Sequence, residues 1–269
     1  MLDSLGYQGT GHQAASLASV SSRSMRVLPI TAGTRGVGHT TCVLNLAAAL
    51  RECGQRVVVV DGLRAQIAPV LGSKPKYELR HLLSGERSFA EVVHLINGLW
   101  VVPAQKGLDE FAASGANPDD LFTAFADLSD EFDCLLLTAP PKVLSAIAGP
   151  ANDVLLVTND VQDSIKDTYA AMKLMSSAGG VQHFRVLLNG VSDTQRADDA
   201  YARLSDAASG FLSAQCALAG HVPLDRAVER AASAQRDLFA FPARSAAKDV
   251  FRRVAGALPS WQLAAYISN

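Results

Sequence analysis

From position 26 onward the hydrophobic pattern keeps changing its period, and each change marks an element. Short runs that are apolar at successive positions predict strands buried on both faces. They are Val27–Thr31, Arg56–Asp61, Leu99–Pro103, Phe132–Leu137, Val154–Thr158, Phe184–Leu188 and Cys216–Pro223. Between and after them the spacing turns helical. Thr40–Cys53 runs to Gly54, Leu79–Leu83 and Phe89–Leu95 lie either side of Gly85, and Pro118–Ser129 carries Asp119 and Asp120 in its first turn. Ser164–Met175 is stopped by Gly179-Gly180; Thr194–Leu212, Arg226–Ala234 and Ser245–Leu258 complete the set. Strands separated by helices predict an α/β fold: a single doubly wound, mostly parallel sheet with helices on both faces. In such a sheet ligands bind at the carboxyl ends of the strands. Thr31, Asp61, Leu137, Thr158 and Asn189 fall at those ends.

The pattern also divides the chain. Residues 1–25 are small and polar and read as a flexible N-terminal segment, 26–260 as the one domain, and 261–269 as a C-terminal tail. In the tail, Trp261, Leu263, Tyr266 and Ile267 suggest a second amphipathic piece or an interface. In the last helix Val250, Phe251, Val254 and Leu258 form an apolar stripe opposite Lys248, Arg252 and Arg253. Such a stripe serves either the core or a membrane surface, and the low basic count favours the core.

Composition narrows the class only a little. An apolar share of 49% supplies a core, and a net charge of −2 gives no general attraction to nucleic acid or anionic lipid. Cys42, Cys53, Cys134 and Cys216 are far apart with no C-x-x-C pair, which predicts reduced thiols and no metal cluster. No apolar run approaches the ~20 residues of a membrane helix, and the N-terminus lacks the apolar region of a signal peptide. The expectation is a cytoplasmic chain.

The chemistry gathers at Gly33-Thr34-Arg35-Gly36-Val37-Gly38-His39-Thr40-Thr41, between the first strand and the first helix. This matches the phosphate-binding pattern G-x-x-x-x-G-K-[ST] except that His39 stands at the lysine. Glycines let successive backbone amides turn toward an anion, and the helix N-terminus adds its positive end. The Thr40 hydroxyl would hold magnesium, and Asp61 is a weaker candidate for the same shell. Asp61 has an ordinary reading too, as a cap of the next turn.

At this loop the sequence resembles the MinD/ParA family of P-loop ATPases, and the resemblance runs from Arg26 to near the end. Asn45-Leu46-Ala47 resembles its N-L-A run, Val58-Val59-Val60-Asp61 its second strand, and Phe132-Asp133-Cys134-Leu135-Leu136-Leu137 its Walker-B strand. Asn189 is similar to the family's adenine-capping asparagine, and Gly220-His221-Val222-Pro223-Leu224-Asp225 to the segment near the base, which puts Pro223 in the site. Within the family the resemblance is to the FlhG (FleN) flagellar-number branch. Leu79-Arg80-His81-Leu82-Leu83-Ser84-Gly85-Glu86 and Leu99-Trp100-Val101-Val102-Pro103-Ala104 carry it. His12-Gln13-Ala14-Ala15-Ser16-Leu17-Ala18 resembles part of a motif that activates the partner GTPase FlhF, implying partner contacts through Gln13, Ala14 and Leu17.

What the resemblance implies is qualified by departures. Thr34 stands at the family's signature lysine, His39 at the P-loop lysine, Leu63 at the carboxylate that orients water, and Thr138 at the Walker-B aspartate; only Thr40 is kept. Phosphoryl transfer rests on charge neutralisation, and losing one cationic finger costs ~10³ to 10⁵ in rate. The expected protein is therefore a pseudo-ATPase with ATP or ADP and magnesium held weakly or not at all. It would regulate the number or placement of flagella, or another polar assembly, by binding a partner: an FlhF-like GTPase or other assembly protein. The resemblance also implies a homodimer, a weak membrane contact through the C-terminal helix, and a place at the inner membrane or cell pole. No nucleic acid is implied. Two alternatives stay open: a slow ATPase in which Arg35 or His39 serves for the lysines, and a relative serving cellulose secretion or DNA partition. Arg35 is expected to strain the loop, because it stands where the family has a glycine and the backbone often needs φ > 0. The remaining histidines show no ligand spacing.

Overall fold

The computed structural model describes residues 24–126, 131–148 and 152–267. Nine strands form one sheet: β1 (Ser24–Thr31), β2 (Val57–Asp61), β3 (His94–Ile96), β4 (Leu99–Pro103), β5 (Cys134–Thr138), β6 (Asp153–Thr158), β7 (His183–Val191), β8 (Gln215–Pro223) and β9 (Ala264–Ile267). The order across it is β3-β4-β2-β5-β1-β6-β7-β8, with β9 beside β1. All neighbours are parallel except β3 with β4 and β9 with β1.

The continuous apolar runs do what their lack of alternation requires: successive residues serve opposite faces. Val58 and Val60 of β2, with Leu135 and Leu137 of β5, enter one core. Val57 and Val59, with Cys134 and Leu136, enter the other. The first core is covered by α3 (Leu79–Leu83), α4 (Phe89–Val92), α5 (Gln105–Ser114), α6 (Pro118–Ala126), α7 (Pro141–Ile147), α8 (Gln162–Gly179) and α9 (Thr194–Leu212). The second is covered by α1 (His39–Glu52), α2 (Ile67–Val70), α10 (Arg226–Ser233) and α11 (Ala246–Ala257).

Several expectations are corrected. The helix predicted over Phe89–Leu95 stops at Val92, and His94–Ile96 is instead a strand antiparallel to β4. Asn97 and Gly98 both have positive φ (51° and 80°), the backbone of a two-residue hairpin turn, so this Asn-Gly pair overrides the helical spacing. Helices α5 and α7 were not anticipated; α7 begins with Pro141 at its first position, where a missing N–H does no harm. The last turn predicted for Pro118–Ser129 lies outside the described residues, as do the partner-contact candidates Gln13, Ala14 and Leu17.

At the C-terminus the apolar stripe of α11 is fully used. Phe251 is buried, as are Val250, Val254 and Leu258, and Arg252 on the far side makes two hydrogen bonds to Glu52 of α1 (2.6 and 2.8 Å). Packed this way, the stripe serves the core, the reading that its low basic count favoured. No helix among the described residues is long and apolar enough to cross a membrane. The segment after it does not hang free: β9 pairs with the first half of β1, and Asp153 of β6 receives the Gln262 amide at 2.8 Å. Asp153 also takes a paired contact from Arg185 (3.0 and 3.1 Å), whose guanidinium lies over Trp261.

Candidate functional site

The loop from Gly33 to Thr41 leaves the carboxyl end of β1 and enters α1. Its positive-φ positions are Gly36 (79°) and Gly38 (81°), so these two glycines carry the curl. Arg35 is absent from the non-glycine positive-φ residues, so the expected strain at Arg35 does not exist. Gly33 is small for another reason. A Cβ there would meet the backbone of Asp167 in α8 at 2.5 Å. Val37 is buried, while Thr34, Thr40 and Thr41 are partly accessible.

Gly38 caps α1, and the first helical bond runs from Cys42 N to Gly38 O at 2.9 Å. The amides of His39, Thr40 and Thr41 therefore precede the helical ladder and form the donor cluster an anion would meet. The loop is held down by Asn189, whose Nδ2 donates to the Val37 carbonyl at 2.9 Å. Asn189 sits at an irregularity in β7, beside Gly190 with φ 72°. A second asparagine anchors the helix: Asn45 Nδ2 donates to Thr41 O (2.8 Å), and its Oδ1 receives Leu238 N (2.7 Å).

The position of the missing lysine is occupied by an uncharged ring. His39 is buried, and burial pushes its pKa down to about 4, with the nearby Arg64 guanidinium adding to the effect against a contact to the Ile30 backbone. His39 is thus neutral at pH 7 and does not replace the lysine's charge. Its Nε2 has no hydrogen-bond partner among the described residues, and neither has the buried Thr31 Oγ1 at the end of β1.

On the neighbouring strand ends the carboxylate chemistry is replaced by a structural clasp. Thr138 Oγ1 donates to Asp61 Oδ1 (3.4 Å) and accepts from Leu63 N (3.2 Å), while Asp61 Oδ2 accepts from Ile67 N (2.7 Å) and caps α2. Burial raises the Asp61 pKa to about 6, against the two hydrogen bonds. Both oxygens of Asp61 thus face protein donors, and Leu63 is buried. Among the described residues no group of three metal-binding side chains occurs. The glycine cradle and the open amides fit a phosphate chain; of the two magnesium candidates, Asp61 has both oxygens on protein donors and the partly accessible Thr40 hydroxyl is the one left, and no step is derived through that ion.

Between the carboxyl ends of β7 and β8 and α11 lies a cavity of about 380 Å³, lined in part by Val191, Thr194, His221, Pro223 and Arg253. Pro223 is brought to the same end of the sheet as the loop. The residue that sequence reading missed is Arg64. It follows Leu63 in the turn after β2, has φ 72°, and is followed by Ala65 with φ 46°. Its only local signal was a position near the carboxyl end of a buried strand. Of the cysteines, Cys42 and Cys134 are buried with thiol pKa values raised by burial, that of Cys134 to about 12, but Cys53 is exposed.

A parallel sheet whose first strand feeds a glycine cradle and then a helix N-terminus defines the class of P-loop nucleotide-binding folds of the MinD type. The chain belongs to the MinD/ParA family: a family model described as an AAA domain matches residues 25–176. The antiactivator FleN of Pseudomonas aeruginosa is 34% identical over 250 residues, spanning 90% of this chain and 89% of FleN. The flagellum site-determining protein YlxH of Helicobacter pylori is 28% identical over 159 residues, 56% of this chain and 54% of that protein. Among solved structures, the septum site-determining protein MinD of Pyrococcus horikoshii, complexed with Mg-ADP, superposes with a TM-score of 0.65 at 21% identity, covering 87% of this chain and 96% of that one.

Proposed function

We propose that this chain is an FlhG/FleN-type regulator of flagellar number or placement that works by binding a partner, with a nucleotide pocket that binds but does not hydrolyse. The 34% identity with an antiactivator across nine-tenths of the chain carries the first half of the reading. The second half is supported by the Asp61–Thr138 clasp, which leaves no free carboxylate where water would be oriented or magnesium supported. In this reading the amides of Gly36 to Thr41 hold the phosphates, Thr40 lies against them, and Asn189 and Pro223 border the base. The partner is an FlhF-like GTPase or another flagellar assembly protein, and occupancy of the pocket sets the shape offered to it or to a second copy of the chain.

Two measurements test this. Deleting the gene in its host and counting flagella per cell should change the count or position; unchanged cells would remove the flagellar assignment. A phosphate-release assay with the purified protein should give no turnover above the Thr40→Ala variant. Turnover abolished by that substitution would replace the reading with a slow ATPase.

A further inference from the structure

The two lysines are missing, but one arginine lies in the loop itself and another in the turn on the same edge of the sheet. We propose that Arg64, with Arg35, supplies the positive charge for the phosphate chain of a nucleoside di- or triphosphate, so that binding proceeds without magnesium. The proposal rests on the reading of the loop as a nucleotide site.

The geometry starts with strand order. Strand β5 lies between β2 and β1, with Thr138 in register with both Asp61 and Ile30, so the turn after β2 and the loop after β1 open on one edge of the sheet. The turn that carries Arg64 is fixed by several bonds. Gly62 N donates to Thr138 O (2.8 Å), Leu63 N to Thr138 Oγ1 (3.2 Å), Ile67 N to Asp61 Oδ2 (2.7 Å), and Gln66 Nε2 to the Arg64 carbonyl (3.0 Å). Within it Arg64 and Ala65 hold successive left-handed conformations, costing ~1 kcal/mol or more each, and such strain persists where surrounding structure enforces it.

Electrostatics points the same way. Neither Arg64 nor Arg35 has a carboxylate within 4.0 Å among the described residues, although Arg64 is partly buried. Burial lowers the Arg64 pKa and the Arg35 guanidinium lowers it further. The Arg64 charge also bears on His39, the buried ring whose Nε2 has no partner among the described residues. Two cations and a run of open helix amides on one edge of the sheet are all of one sign, and an anion would neutralise them together. Guanidinium groups suit phosphate oxygens by their planar fork. With Thr138 and Leu63 at the carboxylate positions, the compensating charge is the protein's own rather than a metal's.

The test is calorimetric titration of the full chain with ADP and ATP, once with magnesium and once with EDTA, alongside apo melting temperatures. The wild type should bind equally in both buffers. Arg64→Gly should weaken binding about tenfold or more while the apo protein melts no lower, because glycine accepts the left-handed turn. Arg64→Lys should recover part of the affinity. Inorganic pyrophosphate competing with ADP would support the phosphate assignment. Wild-type binding that vanishes in EDTA, or an Arg64→Gly protein that binds like wild type, overturns the inference and leaves the nucleotide reading intact. A wild type that binds neither nucleotide overturns both.

Discussion

The side-chain amide of Asn189 and the carbonyl of Val37 are 2.9 Å apart, joining the end of β7 to the crest of the glycine loop across 152 positions of sequence. A Cβ added at Gly38 would lie 2.1 Å from that same Nδ2. Asn189→Ala should lower stability by about 1 kcal/mol, the usual worth of one such bond. Gly38→Ala should cost more, because it adds both a clash and a left-handed alanine. In the double variant the clash is gone and only the backbone term remains, so the two effects should be less than additive in urea unfolding.

Restoring the family's carboxylate should harm this protein. Thr138→Asp would place a second acid within about 3 to 4 Å of Asp61, buried, where two negative charges cannot both persist. The expected result is a loss of several kcal/mol in stability, ~3 at neutral pH, and no phosphate release above background. Stability equal to wild type would show that the Asp61 clasp is less enclosed than its geometry indicates.

His39 and Asp61 predict opposing pH effects over one window. The folded His39 pKa of about 4 lies below the ordinary 6.5, so the unfolded chain takes the proton first and stability is lost as pH falls between those values. The folded Asp61 pKa of about 6 lies above the ordinary 3.8, so the folded chain takes the proton first and stability is gained as pH falls through that range. Each contributes up to about 3 kcal/mol, and in the wild type they largely cancel. Relative to wild type, His39→Gln should therefore gain stability between pH 7 and about pH 4.5, and Asp61→Asn should lose it. Urea midpoints at the two pH values check both signs.

Strand β9 should matter more than its length suggests. Ending the chain after residue 260 would remove its pairing along Ser24–Val27 of β1, and the Gln262 amide from Asp153. The exposed length of β1 then becomes an unpaired edge. The truncated protein should melt lower and aggregate on heating, whereas Trp261→Phe, which keeps an aromatic face for Arg185, should behave close to wild type.

What the sequence by itself determined is whatever depends on near neighbours. Runs such as residues 57–60 and 134–137 are apolar at every position because both faces are covered, so the parallel core of the sheet could be read directly, and with it the strand–loop–helix setting of Gly33–Thr41. The replacements at Thr34, His39, Leu63 and Thr138 were equally visible. The Asn97-Gly98 turn was visible too, but helical spacing around Phe89 competed with it. Only the tertiary structure decided where side chains find their partners. It made His39 neutral by burying it, engaged both oxygens of Asp61 on protein donors, tied Asn189 to Val37, and covered the apolar stripe of α11. It also put the turn that carries Arg64 on the same edge of the sheet as the loop, about thirty positions away in the chain, through the order of three strands. Periodicity records whether a residue is buried, because burial repeats with the local backbone; it carries no record of which distant group lies opposite, because that is set by how strands are ordered.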